Sequence, residues 1–366
     1  MPASFAEIAA VAANFQFRGT LLEAAPYGSG HINDTYRIII GQGGCRVPYI
    51  LQRLNSRIFA DVPALMENIT RVTEHIRSKL AAQADADWSR KVLQLVPTTD
   101  NRQFLQTPDG DFWRAYIFID GARTFDFVDS PAQAREAGRA FGEFQKQLSD
   151  LPGQPLHEIL PDFHNTPVRM QNFLRALERD SQGRAVLARP EIEFALAHQP
   201  MNSRVEEGLA NGSLPHRVTH NDTKINNVLL NAEDGRGLCV IDLDTVMPGS
   251  VLYDFGDQIR TSTSTSAEDE EDLAKVRFRM DLFAELLHGY LASAADFLTP
   301  NEMSLLPFSG QLITFEIGLR FLTDFLEGDV YFKTSKLNHN LFRCRTQFEL
   351  VRQMEEKAEE MQRLLP

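Results

Sequence analysis

Around residue 120 the apolar residues of this 366-residue chain change their rhythm. Before that point they come in short, β-rich runs. Tyr36–Ile40 and Pro48–Leu54, parted by Gly41, Gly43 and Gly44, predict a hairpin. Val62–Lys79 reads as a helix, because Leu65, Ile69, Val72 and Ile76 recur at helical spacing. Lys91–Val96, Arg102–Leu105 and Phe112–Phe118 predict further strands, the last two joined by a Pro108-Asp109-Gly110 turn. After Gly121 helices take over. Pro131–Leu148 carries Ala137, Phe141, Phe144 and Leu148 on one side, and Met170–Asp180, Ile192–Ala197 and the chain from Asp269 onward read as helical too. One exception interrupts them: Val228–Leu230 and Leu238–Leu243, joined by Asn231–Gly237, predict a hairpin embedded among helices. Such an order is α+β with two unequal parts, 1–120 and 121–366, meeting near Asp120–Thr124.

Composition narrows the classes. Apolar residues make up 43% and charged residues 24%, enough to bury a core and too apolar for a disordered chain. Thirty-seven basic against 50 acidic residues leave a net charge of −13, which argues against a general nucleic-acid binder without excluding one local basic pocket. Cys45, Cys239 and Cys344 are odd in number and far apart, so neither a disulfide framework nor a zinc site is expected. Met1–Thr20 carries Glu7 and no basic residue ahead of it, unlike a signal peptide; Phe5, Ile8, Ala9, Val11 and Ala12 suggest a short amphipathic helix. No stretch reaches the roughly 18 apolar residues of a membrane span. The expectation is a cytoplasmic protein without a membrane partner. Thr261–Ser266, followed by the acidic Glu268–Asp272, reads as a solvated loop capping a helix.

The stretch that carries chemistry is His220-Asn221-Asp222-Thr223-Lys224-Ile225-Asn226-Asn227, with Asp242 twenty residues after Asp222 at the end of the apolar run Leu238–Ile241. Phosphoryl transfer needs a carboxylate to orient and deprotonate a hydroxyl, a cation beside the phosphoryl group and oxygen ligands for Mg²⁺. Asp222 would be the base, Lys224 the cation, and Asn227 and Asp242 the metal ligands, brought together by the hairpin. Asp254-Phe255-Gly256 spells a second metal motif. It sits past Pro248 and Gly249 and runs into a helix, so Asp254 is read instead as a structural acceptor of backbone N–H groups. Asp244 is open between supporting the metal ligands and joining them.

The spacing H-x-D-x-K-x-x-N resembles the catalytic loop of the protein-kinase-like superfamily, and most nearly that of the aminoglycoside phosphotransferase and choline kinase group. That resemblance implies a two-lobe fold: a small β-rich nucleotide-binding lobe and a larger, mainly helical lobe. Tyr27-Gly28-Ser29-Gly30, with Asn33 and Thr35 after it, would then approach the phosphates of ATP. Arg53 on the strand Pro48–Leu54 would supply the phosphate cation and Glu67 its partner. Phe118 and Asp120 would lie in the hinge beside the adenine.

Gly30–Thr35, Ala64–Ile69, His220–Lys224, Ile241–Gly249, Tyr253–Gly256, Arg320–Asp324 and Gly328–Phe332 together resemble the N-acetylhexosamine 1-kinase branch of the group. The likeness implies ATP- and Mg²⁺-dependent phosphorylation of the anomeric hydroxyl of N-acetylglucosamine or N-acetylgalactosamine. Arg320 and Tyr331 become the expected sugar contacts beside Asp222, with Asp324 orienting Arg320. His31 is open between a cleft contact and a plain loop residue. Phe163-His164-Asn165-Thr166 shares the likeness without an assigned role. The alternatives are a kinase of an aminoglycoside, choline or another sugar, and a nucleotide-binding chain without catalysis. Intact Asp222, Asn227 and Asp242 argue against the last.

Overall fold

The computed structural model describes residues 3–28, 30, 32–83, 87–264 and 266–366. Helix α1 (Phe5–Ala12) leads into strands β1 (Thr20–Pro26), β2 (Asp34–Gln42) and β3 (Cys45–Leu54), helix α2 (Val62–Ala82), and strands β4 (Leu105–Gln106) and β5 (Phe112–Ile117). The strands form one antiparallel sheet in the order β1-β2-β3-β5-β4. The expected hairpin is β2–β3, turning at Gly43 and Gly44, whose φ angles of 54° and 88° suit glycine. Strand β1 is unannounced in the sequence because, lying at the sheet edge, it leaves five of its seven residues exposed. Lys91–Val96 is not a regular strand. Gln94 and Val96 do bond to β5, but Pro97 lacks the N–H that would extend the ladder. Arg102–Leu105 shrinks to the two residues of β4.

Side-chain alternation gives this sheet two different faces. Tyr36, Ile38, Ile40, Leu51, Trp113 and Ala115 pack with Ile8, Val11 and Phe15 under α1. In α1 itself Ile8, Val11 and Ala12 are buried, whereas Phe5 stays half exposed. The opposite face, with Thr35, Gln52, Arg114 and Tyr116, turns toward the rest of the chain.

That remainder comprises β6 (Ala122–Arg123), α3 (Pro131–Leu148), α4 (Thr166–Arg179), α5 (Arg189–Ala197), α6 (Arg204–Ala210), β7 (Arg217–Thr219), β8 (Val228–Asn231), β9 (Gly237–Val240), β10 (Met247–Gly249), α7 (Val251–Ser262), α8 (Met280–Ala294), α9 (Pro300–Glu327), α10 (His339–Glu356) and α11 (Ala358–Gln362). The embedded hairpin is β8–β9, with β6 on its outer edge; β7 pairs with β10. Helix α9 starts with a capping box at Thr299 and Glu302 and stops at Gly328, whose φ is 103°. Helix α7 lies against α9 closely enough that a Cβ on Gly256 would sit 2.3 Å from the Ser309 carbonyl oxygen.

The acidic segment caps no α-helix, though Asp272 accepts the Ala274 N–H at 3.1 Å at the head of the short 3-10 helix Leu273–Lys275. Asp269 pairs with Lys336 at 3.0 Å and His339 at 3.1 Å, and Glu271 with Lys336 at 3.0 Å. Its carboxylates also meet Arg260 at 3.6 Å and Lys275 at 3.8 and 3.9 Å, and the next α-helix begins only at Met280. Among the described residues no helix is long and apolar enough to cross a membrane, and all three cysteines are free.

Candidate active site

Strand β7 delivers the chain into a loop that reverses at Asn221, whose φ is 65°. Asn and Asp are the non-glycine residues that tolerate this conformation best. The buried Asp254 carboxylate holds the turn. It accepts the N–H groups of His220 (2.8 Å) and Asn221 (2.7 Å) and the amide of Gln145 (2.7 Å). This is the structural role expected of Asp254, reached from the first turn of α7. One turn along, Asp257 accepts the Thr223 N–H at 3.0 Å.

Asp222 emerges from the turn between two donors. Lys224 Nζ lies 3.0 Å from Oδ1, and Asn227 Nδ2 donates to Oδ2 at 3.0 Å and to the Asp222 carbonyl at 2.8 Å. Burial disfavours the Lys224 ammonium, but the Asp222 charge outweighs it and raises the Lys224 pKa. Asp242 arrives from β9. The Ile241 N–H donates to the Asn227 carbonyl at 2.9 Å, which sets Asp242 beside Asn227, and a φ of 60° turns the chain there. Asp242 is open to solvent, yet the protein packed around it, then the neighbouring charges of Asp244 and Asp222, push its carboxyl up to about 6. Crowded hard oxygen donors of this kind suit a divalent cation such as Mg²⁺, whose charge would relieve the repulsion.

Asp244 is gripped from the sheet. The buried Arg114 of β5 pairs with its Oδ1, and Asn33 donates to its Oδ2 at 2.5 Å. Arg114 also donates to Gln52 at 2.9 Å, and Gln52 to Thr35 at 2.9 Å. Thr35, Gln52, Arg114, Asp244 and Asn33 thus form a polar chain from the glycine-bearing loop to the acidic segment. Asn33 and Thr35 enter the site through this chain. The sequence signal for Arg114 was there: it is the charged position in an otherwise apolar strand, on the face opposite Trp113 and Ala115.

Arg53 and Glu67 need correction. Arg53 pairs in register with Asp34, so it lies on the α1 face. Its guanidinium binds Asp34 at 2.5 Å and stacks over Trp113 at 5.7 Å, away from Asp222. Glu67 sits on the exposed side of α2 and meets His157 at 3.0 Å. The inward residue is its neighbour Asn68, fully buried, which donates to the Val246 carbonyl at 3.0 Å.

A cleft of about 390 Å³ beside the segment joining β5 to β6 is lined by Tyr27, Arg37, Ile39, Phe118 and Asp120. The Asp120 carbonyl accepts from Arg90 at 2.8 Å. Gly28 has a φ of 82°, and a Cβ on Gly28 or Gly30 would meet nothing within 4 Å, which leaves their backbone accessible. Ser29 and His31 lie outside the described residues.

Helix α9 carries Glu316, Arg320 and Asp324 about a turn apart. The Arg320 guanidinium lies over the rings of Tyr331 (5.7 Å) and Phe332 (5.5 Å). Asp324 does not orient Arg320; it accepts the N–H groups of Val330, Tyr331 and Phe332 and so shapes the loop after α9. Arg169 sits near Arg320, and burial followed by the Arg320 charge lowers its pKa.

The sequence profile of the phosphotransferase enzyme family matches residues 23–296, well over half of the chain, and the chain belongs to that family. Among solved structures it is similar to the microcompartment-associated aminopropanol kinase, with a TM-score of 0.62, 15% identity and 98% of each chain covered. It is also similar to spectinomycin phosphotransferase in complex with ADP and spectinomycin, with a TM-score of 0.59 and 11% identity over 97% of this chain and 100% of that one. Plasmodium vivax ethanolamine kinase matches with a TM-score of 0.53 and 11% identity over 89% of this chain and 82% of that one. These likenesses establish the α+β fold, a sheet-bearing N-terminal region followed by a helical part.

Proposed function

We propose that the chain is an ATP- and Mg²⁺-dependent kinase that phosphorylates the C1 hydroxyl of N-acetylhexosamines. The observation that carries the kinase reading is the Asp222 carboxylate held between Lys224 and Asn227, both at 3.0 Å, with Asp242 alongside. Residues 1–120 would form the nucleotide lobe and 121–366 the catalytic and sugar lobe. Asp222 orients the acceptor hydroxyl and takes its proton as the oxygen attacks the γ-phosphorus and the bond to ADP breaks. Lys224 pairs with Asp222 at 3.0 Å and sits close enough to offset charge on the transferred group. Asn227 and Asp242 would hold Mg²⁺, which neutralises phosphate charge when bound.

The acceptor reading rests on the sequence likeness and on the charge near Arg320. Arg169 and Arg320 make that corner cationic, unsuited to a positively charged amino alcohol and compatible with a neutral sugar resting against Tyr331 and Phe332. The test is ADP release over a panel of acceptors. Turnover of N-acetylhexosamines, but not of choline, ethanolamine, aminopropanol or kanamycin, supports the proposal. Turnover confined to another alcohol replaces the acceptor. ATP binding without turnover of any compound favours a nucleotide sensor.

A further inference from the structure

The segment Phe163–Thr166 holds a side chain that the chemistry above does not use. His164 is buried, with its two ring nitrogens on two different partners. Nδ1 lies 2.9 Å from Oε1 of Glu316, and Nε2 lies 3.2 Å from the carbonyl oxygen of Asn221. Thr166 donates to the other Glu316 oxygen at 2.6 Å, so a carboxylate is the form those donors satisfy. A carbonyl oxygen and a carboxylate oxygen are both acceptors, and only an imidazolium has an N–H for each. His220 gives the contrast. It faces the Asp222 N–H at 3.3 Å and the Ile241 carbonyl at 2.9 Å, one donor and one acceptor, which a single ring N–H satisfies.

We propose that His164 is a positioning residue that works as a buried imidazolium, clamping the Asn221–Asp222 peptide from its carbonyl side and tying it to α9. The peptide is then held at both ends, its oxygen by His164 and its N–H by His220. This is the peptide that follows the left-handed turn at Asn221 and immediately precedes the Asp222 side chain. The groups around the ring favour the cation. Glu316 faces it from α9, Asp257 acts on it from α7, and the Tyr253 ring of α7 lies 5.4 Å away. Lys224 and Arg260 face Asp257, and Arg320 faces Glu316, so the nearby cations are set against those two carboxylates. Burial opposes the charge, yet the bond to Glu316 outweighs it and the His164 pKa is raised.

The inference deepens the kinase reading and rests on Asp222 being the base, but its first readout does not. In the full-length protein labelled with ¹⁵N-histidine, His164 is assigned by the signals lost in His164→Gln. It should show two protonated ring nitrogens at neutral pH; one bare nitrogen overturns the proposal whatever the substrate. The amide variants then separate positioning from packing. A Gln amide can reach where Nε2 stood and an Asn amide only where Nδ1 stood. His164→Asn should therefore displace the Asp222 amide resonance and lower kcat by about tenfold to a hundredfold, with the KM for ATP little changed. His164→Gln should recover most of both. Wild-type kcat should also fall at alkaline pH along a limb that His164→Gln lacks. Equal kcat in both variants and wild type, an unmoved Asp222 amide, or an alkaline limb that persists in His164→Gln overturns the inference. Should the wild type phosphorylate no alcohol at all, the functional reading fails and the two NMR readouts decide this one.

Discussion

Asp222 and Asp242 put the same functional group to opposite uses. Asp222, the proposed base, is partly open and accepts from Lys224 and Asn227. Its replacement by Asn keeps the shape and one of the two acceptor oxygens and removes the basicity. Asp222→Asn should lower kcat by at least about a hundredfold while nucleotide binding, followed by calorimetry, stays near wild type. Asp242 is open to solvent but stands beside two other carboxylates, a crowding that a cation would relieve. Asp242→Asn should raise the melting temperature of the metal-free protein and remove the stabilisation that Mg²⁺ with ATP confers on the wild type. A thermal scan with and without the metal-nucleotide checks both. These residues were legible because their spacing encodes a hairpin and a turn, which are local. Arg53 was misread because a strand's facing depends on register: the cationic residue on the inner face is Arg114, on the strand paired to β3. No local pattern joins Arg114 to an aspartate 130 residues away.

Helices α7 and α9 act as a pair. Asp254 and Asp257 on α7 support the catalytic loop from behind, while Glu316 on α9 supports it through His164. The close approach at Gly256 makes the two supports one block. The pair also gives the fold a pH signature. The His164 pKa is raised from 6.5, so its contribution to stability is complete below that unfolded value and is lost as pH rises through the folded one. The Glu316 pKa is lowered from 4.5, so its contribution is complete above that value and is lost as pH falls through the folded one. Urea unfolding should therefore show the largest gap between wild type and His164→Gln near pH 4.5–6.5, narrowing toward pH 9. Helical periodicity showed that α9 would form. It did not show that Glu316 and Asp324 would be buried, because their partners come from residues 164, 166 and 330–332. In the acidic segment at 268–272 the cap on the 3-10 turn is local, but Lys336 and Arg343, which also pair with it, lie some 70 residues downstream.

Polar ties join the sheet to the helical part beside an apolar cluster in which Leu54, Leu65 and Ile69 pack with Phe141, Phe144 and Val240. Arg114 and Asp244 form a buried ion pair, and truncating one partner leaves the other charge without compensation. Arg114→Met should destabilise the protein by about 3–5 kcal/mol, measured by chemical denaturation. The net charge of −13, which first spoke only against nucleic acids, bears on none of these ties; it is a property of the surface. Asn33 belongs to the glycine-bearing loop, and Asp244 stands two residues after Asp242. In the proposed kinase, any opening that lifts this loop away to release nucleotide would part Asn33 from Asp244 and loosen the corner where Asp242 sits. Product departure and slackening of the acidic corner would then be a single movement, coupled through one hydrogen bond.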